Sequence, residues 1–254
     1  MATYVIGDLH GQVEAFDKML SKISFDETKD KIYLTGDYTD GPGSNSTKLI
    51  MKLAELNSKN CLYGVLGNHD DMMLHVLKTK RQGKFNVHDH KTHLWQLNKG
   101  FSTLALYNGL SVEEQDTIYE FLDSLPLYIR FSVNGQKYYI SHAERYNEEA
   151  PEEYALEDVL WGDHYNKFLD FLPNYSNLAG EDADTIFISG HKITGNMLDY
   201  PGDEREPFKI IYLDEKSRIL MDCGCKGIKV DDRYRLGCLR LDDMTSFYVD
   251  AKEI

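Results

Sequence analysis

The chain has 254 residues, of which 42% are hydrophobic and 28% charged, a balance that fits a globular protein with a sizeable core and excludes an extended disordered chain. A formal charge of -14 disfavours DNA or RNA as a partner, because such binding depends on neutralising phosphates with Lys and Arg. No apolar run approaches the roughly 20 residues of a membrane helix. Met1–Ile6 leads straight into a Gly-Asp turn without the make-up of a leader peptide, so a cytoplasmic protein off the membrane is expected. The four cysteines are too few for a disulfide framework, and Cys223-x-Cys225 is read as buried thiols.

Three apolar, β-branched runs, Thr3–Ile6, Lys31–Thr35 and Cys61–Leu66, each end in a Gly-Asp or Gly-Asn turn. Helical spacing of Phe16, Met19, Leu20 and Ile23, and again of Leu49, Ile50, Leu53, Ala54 and Leu56, fills the intervals. Alternating strand and helix implies a parallel sheet, whose ligands bind beyond the carboxyl ends of its strands. From Lys80 to about Asn108 the chain is polar and irregular, an insertion over about 80–111, and Val112–Leu122 reads as a helix. Short runs then follow, among them Leu127–Val133, Gln136–Ser141, Thr185–Ser189, Phe208–Leu213, Arg218–Met221, Gly237–Leu241 and Ser246–Val249, with turns such as Asn134-Gly135 between them. They predict hairpins and a second, largely antiparallel sheet. The expected fold is α/β, one domain over 1–254, a four-layer α-β-β-α sandwich with two mixed sheets.

Five segments close strands with residues able to hold a metal: Gly7-Asp8-Leu9-His10-Gly11, Gly36-Asp37-Tyr38-Thr39-Asp40, Gly67-Asn68-His69-Asp70, Ser141-His142-Ala143 and Gly190-His191. Their order and spacing resemble the phosphoprotein phosphatase branch of the calcineurin-like metallophosphoesterases, especially its compact bacterial and bacteriophage members. Trp95-x-x-Asn98-x-Gly100-x-x-Thr103 and Leu125-Pro126-Leu127 extend the resemblance, which runs from Tyr4 to about Asp222.

The residue types have a physical reason. Two ions about 3.5–4 Å apart need a ligand that touches both, and a two-oxygen carboxylate suits that role. Asp37 is the natural bridge, Asp8 and His10 can be aimed at one ion by a tight turn, and Asn68, His142 and His191 serve the other. Mixed carboxylate, amide and imidazole ligation suits manganese, iron or zinc better than magnesium or calcium. Two divalent ions, two carboxylates and a bridging hydroxide leave one unit of positive charge to hold a phosphate. The resemblance further implies that His69 protonates the leaving oxygen and that Asp40 orients its imidazole.

The sequence departs from the family at the substrate end. Where the resemblance implies a phosphate-binding arginine after Asp40, the chain reads Gly41-Pro42-Gly43-Ser44, and a second expected arginine after Leu160-Trp161 is replaced by Gly162-Asp163-His164. Arg145 and Lys192 are the candidate replacements, and His164 could approach the site by position. His88-Asp89-His90-x-x-His93 reads as a solvated loop and His75 as a surface residue. The implied activity is metal-dependent phosphoester hydrolysis of a phosphorylated small molecule or phosphopeptide, with a serine/threonine phosphatase-like phosphomonoesterase the leading form. A dinucleoside polyphosphate hydrolase and a catalytically weakened regulatory module are the competing readings.

Overall fold

A computed structural model describes residues 1–162, 172–197, 206–213 and 217–254. Ten strands in two five-stranded sheets and seven α-helices make up its regular elements among those residues. The first sheet has the order β10(Thr245–Asp250), β9(Arg235–Arg240), β1(Thr3–Ile6), β2(Lys31–Leu34), β3(Leu62–Gly64). Here β1, β2 and β3 run parallel, while β9 lies antiparallel to both β1 and β10. The second has the order β4(Tyr128–Val133), β5(Gln136–Ser141), β6(Thr185–Ser189), β8(Arg218–Leu220), β7(Ile211–Leu213), with β5, β6 and β8 parallel and antiparallel strands at both edges.

Alternation along each strand explains the layers. Tyr4, Ile6, Ile32, Leu34 and Cys238 face the helical side of the first sheet, where they pack with Phe16 and Met19 of α1(Val13–Lys22) and Leu49 and Leu53 of α2(Ser46–Ser58). Their neighbours Val5, Tyr33 and Leu239 face the other way, onto Tyr138, Ile140, Ile188 and Ile219 of the second sheet. Each central strand is therefore buried on both faces, as the strands of a parallel sheet between two layers must be. The expected four-layer α/β sandwich is the observed architecture. On the outer face of the second sheet, among the described residues, the Tyr175 ring packs on Phe187 and the guanidinium of Arg218 lies over Tyr175.

Two expectations about layout are corrected. The second sheet is half parallel rather than largely antiparallel, and the two C-terminal strands, expected there, join the first sheet. The reason is that β9 carries apolar residues for both of its faces, Leu236 and Cys238 on one and Leu239 on the other, so it fits a doubly covered position beside β1. The stretch from Lys80 to Asn108 is mostly helical: α3(Asn68–Arg81) reaches into it, and α4(His90–Leu97) and α5(Gly100–Asn108) follow. Asp89 starts α4 by accepting hydrogen bonds from the backbone N–H groups of Lys91 and Thr92, so the histidine-rich stretch is a capped helix start and not a loop. Its Oδ1 also lies 3.0 Å from Nε2 of the half-buried His75. Helices α6(Val112–Ser124) and α7(Glu152–Leu160) complete the set.

Candidate metal centre

Six parallel strands, β1, β2 and β3 of one sheet and β5, β6 and β8 of the other, point their carboxyl ends at one place. The chain leaving them carries, in turn, Asp8 and His10, Asp37 and Asp40, Asn68 and His69, His142, His191, and Asp222. Of these, His10, Asp37, Asn68, His69, His191 and Asp222 line a cavity of about 290 Å³, and Asp8, Asp40 and His142 lie buried behind them. The backbone bends sharply to aim them: His10, Asp37, Asp40 and His191 have φ of 44°, 53°, 69° and 61°, the left-handed region that non-glycine residues rarely enter. Strain shared by four residues of one site marks it as the place where local comfort has been given up for geometry.

Hydrogen bonds settle the protonation pattern. Nδ1 of His10 faces the Thr39 carbonyl oxygen at 2.8 Å, and Nδ1 of His142 faces that of Thr35 at 2.8 Å. A carbonyl only accepts, so both Nδ1 atoms carry the proton and both Nε2 atoms are lone pairs. Those lone pairs converge on the buried Asp37 carboxylate, Nε2 of His10 lying 3.5 Å from Oδ2 and Nε2 of His142 lying 3.4 Å from Oδ1. Lone pair facing lone pair is repulsive until a cation lies between, and such donors are those a divalent ion takes. The Asn68 side-chain oxygen, 2.9 Å from His142 Nε2, faces the same point, the orientation a metal ligand needs; with the amide turned, its nitrogen would instead donate to His142 Nε2 at 2.9 Å and to each Asp37 oxygen at 3.2 Å.

Asp8 accepts from the Thr35 hydroxyl at 2.8 Å and from the His191 backbone N–H at 2.8 Å. Burial, then the nearby Asp222 and Asp37, push its carboxyl well above the usual range, and burial raises Asp222 to about 6. Burial likewise keeps the imidazoles neutral: it drives His10 well below its ordinary value, lowers His142, and with His142 takes His191 down to about 3. Neutral imidazoles and crowded carboxylates therefore meet at a buried site, and divalent cations fit that donor set. Buried His10, Asp37 and His69 form one cluster able to hold an ion, and Asp8, Asp37 and His142 another, with Asp37 common to both.

His69 stands beside this centre on the first turn of α3, its backbone N–H donating to Asp37 Oδ1 at 3.0 Å. Its Nδ1 donates to Asp40 Oδ2 at 2.8 Å, which leaves Nε2 facing the cavity. Asp40 also accepts from Trp95 Nε1 at 2.6 Å on Oδ2 and from the Thr103 hydroxyl at 2.6 Å on Oδ1. The Trp95 and Thr103 of the insertion thus reach the site by clamping Asp40, and Gly100 lies so close under the Trp95 ring that a Cβ would sit 2.2 Å from it. Asp70, next to His69, is no part of the cavity: it accepts from the Tyr38 and Gly67 backbone N–H groups and caps α3.

The candidate replacements for the arginines separate. Lys192 is buried and lines the cavity. Arg145 does not line it, because its Nε donates to Asp182 at 2.6 Å and the side chain is spent in that ion pair, which Arg130 shares. His164 lies outside the described residues. Two charged residues of the cavity were missed from the sequence, Asp222 and Lys226. Asp222 had a signal, for it follows β8 as His142 follows β5 and His191 nearly follows β6, but β8 was assigned to an antiparallel hairpin and its end was not read. Lys226 had none beyond lying in the same turn.

A sequence model of the calcineurin-like phosphoesterases matches residues 1–213. An uncharacterized protein of Methanocaldococcus jannaschii is 30% identical over 224 residues, 88% of this chain and 75% of that protein. A symmetrical bis(5'-nucleosyl)-tetraphosphatase of Buchnera aphidicola is 30% identical over 187 residues, 71% of this chain and 59% of that enzyme, so under two thirds of its length is matched. A crystal structure provisionally assigned as a diadenosine tetraphosphatase superposes with a TM-score of 0.62 at 17% identity, over 98% of this chain and 93% of its own. A Saccharomyces cerevisiae serine/threonine phosphatase superposes with a TM-score of 0.52 at 14% identity, over 98% and 79%. At those identities the structural likeness is one of fold.

Proposed function

Because the chain belongs to the calcineurin-like phosphoesterase family, and is thus a phosphoester hydrolase that uses divalent metal ions, we propose that it hydrolyses a dinucleoside polyphosphate at a two-metal centre. Asp8, His10, Asp37, Asn68, His142 and His191 would hold the ions, and the Asp37 carboxylate, common to both donor clusters, would serve the two. The observation that carries the centre is the convergence of two imidazole lone pairs on Asp37 in a buried cavity. The substrate class draws support from the tetraphosphatase of Buchnera aphidicola, 30% identical to this chain.

When bound, the ion pair supplies Lewis-acid charge at the phosphoryl group and a water made nucleophilic near neutral pH. The protein's own residues do the rest. Asp40, held by Trp95 and Thr103, fixes His69 with its Nε2 edge toward the cavity, where the imidazole, once protonated at Nε2, would hand that proton to the leaving oxygen and return to the neutral form. Thr39 and Thr35 carbonyls lock the tautomers of His10 and His142, and Lys192 lines the substrate side.

The test is steady-state hydrolysis by metal-stripped protein reloaded with Mn²⁺, Fe²⁺ or Zn²⁺, on a dinucleoside tetraphosphate, a phosphoseryl peptide and an aryl phosphate. The highest kcat/KM on the tetraphosphate supports the proposal. Preference for the peptide moves the assignment to the serine/threonine phosphatase form. Metal binding without turnover of any ester leaves the regulatory module, a reading that the intact His69–Asp40 pair speaks against.

A further inference from the structure

The phosphoester-hydrolase reading leaves a charge problem at its substrate end. Two divalent ions carry four positive units, and Asp8, Asp37 and a nucleophilic hydroxide leave one. The structure adds Asp222, buried and within electrostatic reach of both aspartates, as a third carboxylate. That removes the remaining unit. Neither arginine expected from the family is present, and Arg145 is tied to Asp182. A phosphoryl group arriving in this cavity therefore needs a cation from the chain, and two lysines line the cavity, Lys192 and Lys226, of which Lys226 has its Nζ beside His69.

Lys226 is placed to be that cation. It sits in the short 3-10 turn Cys225–Gly227 that follows Asp222, 157 residues from His69 in sequence, yet its Nζ lies 3.0 Å from His69 Nε2. The turn is pinned on several sides. The Gly224 N–H donates to Asp222 Oδ1 at 2.8 Å, and Gly224 is left-handed with φ 84°. The Tyr234 ring lies so close that a Cβ on Gly224 would approach it to 2.2 Å and one on Gly227 to 2.5 Å, and the side chains of Cys225 and Ile228 are buried. The lysine is thus held by backbone that cannot easily move, which lowers the ordering cost of any contact it makes.

We infer that Lys226 grips the phosphoryl group of the substrate beside His69, doing by a different route what the absent arginines would do. An ammonium has three donors. One points at His69 Nε2, and the others face a phosphoryl oxygen placed about 2.8 Å from that nitrogen. On substrate binding the ammonium exchanges its hydrogen bond to the imidazole nitrogen for bonds to a phosphate anion, in which the acceptor as well as the donor is ionised. The inference rests on the phosphoester-hydrolase reading.

The experiment is calorimetric titration of the manganese-loaded protein with inorganic phosphate, for wild type, Lys226→Met, Lys226→Arg and Arg145→Gln, alongside turnover of an aryl phosphate. Melting temperatures show whether each variant folds, and Lys226→Gln replaces the Met variant if that one does not. Expected are a loss of phosphate affinity of at least about tenfold in Lys226→Met, partial recovery in Lys226→Arg, and a change under about twofold in Arg145→Gln. Unchanged phosphate affinity in Lys226→Met with a fall in kcat would show that the lysine only positions His69, and would overturn the inference while leaving hydrolysis intact. A wild-type protein that binds no phosphate and turns over no ester overturns both.

Discussion

Thr103→Val removes one hydroxyl from the support of His69, the proposed leaving-group acid, and keeps the side chain's shape. Thr103 is buried, its Oγ1 donates to Asp40 Oδ1 at 2.6 Å, and its other polar neighbour is the Ser46 hydroxyl at 3.3 Å. A hydrogen bond to a charged group contributes about 1.5–3 kcal/mol, and the carboxylate loses a donor that no water can replace in so dry a place. For a chain of this size that loss lowers the melting temperature by roughly 3–10 °C. Asp40 keeps its bonds to Trp95 and His69, so the imidazole should lose alignment and not its place. Aryl phosphate turnover should fall about tenfold in kcat with KM little changed, since Thr103 does not line the cavity. Urea unfolding of the metal-loaded protein reads the stability, and Thr103→Ser, which keeps the hydroxyl, should recover most of it. In an Asp40→Asn background the same substitution should cost at least about 1 kcal/mol less, because the charge it served is gone. Stability of Thr103→Val within about 0.5 kcal/mol of wild type would refute the view that the insertion acts through Asp40.

Gly190→Ala should cost at least about tenfold in metal affinity, measured by titration of metal-free protein, because its Cβ would stand 1.8 Å from Asp8 Oδ1 and that carboxylate must move; unaltered affinity would show that Asp8 is not a ligand. Asp222 gives a pH signature in the metal-free protein. Its carboxyl is raised to about 6, so the folded state holds a proton that the unfolded state has lost above about 4. Its contribution to stability is fully present below about 4 and is lost as pH rises through about 6, an effect of up to roughly 3 kcal/mol. Wild type should therefore gain on Asp222→Asn as pH falls from 7 to 4 in chemical unfolding, and saturating divalent metal should flatten the difference. A difference that is flat without metal would contradict the assigned environment.

The proposed metal site was legible because most of its residues follow a short apolar run and a glycine, as Asp8 follows Gly7, Asp37 Gly36, Asn68 Gly67 and His191 Gly190, a pattern in which strand, bend and side-chain chemistry agree. The sequence alone places Asp8, His10, Asp37 and Asn68 at strand ends, and His142 and His191 likewise. What resisted reading depended on contacts distant in sequence. Nothing local tells that Leu236, Cys238 and Leu239 will be covered on both faces by different layers, so β9 was assigned to the wrong sheet. The polar stretch after Lys80 lacks an apolar stripe, and α4 depends on Asp89 as its cap and on Trp95 anchored to Asp40. Arg145 looked available because its partner, Asp182, is 37 residues away. Lys226 meets His69 only after both sheets have assembled.

A crystal of the protein soaked in manganese and measured at the manganese absorption edge tests the two-metal centre most directly. The account predicts two anomalous peaks about 3.5–4 Å apart with Asp37 between them, one beside Asp8 and His10 and the other beside Asn68, His142 and His191. A single peak, or two peaks that do not share Asp37, would contradict it.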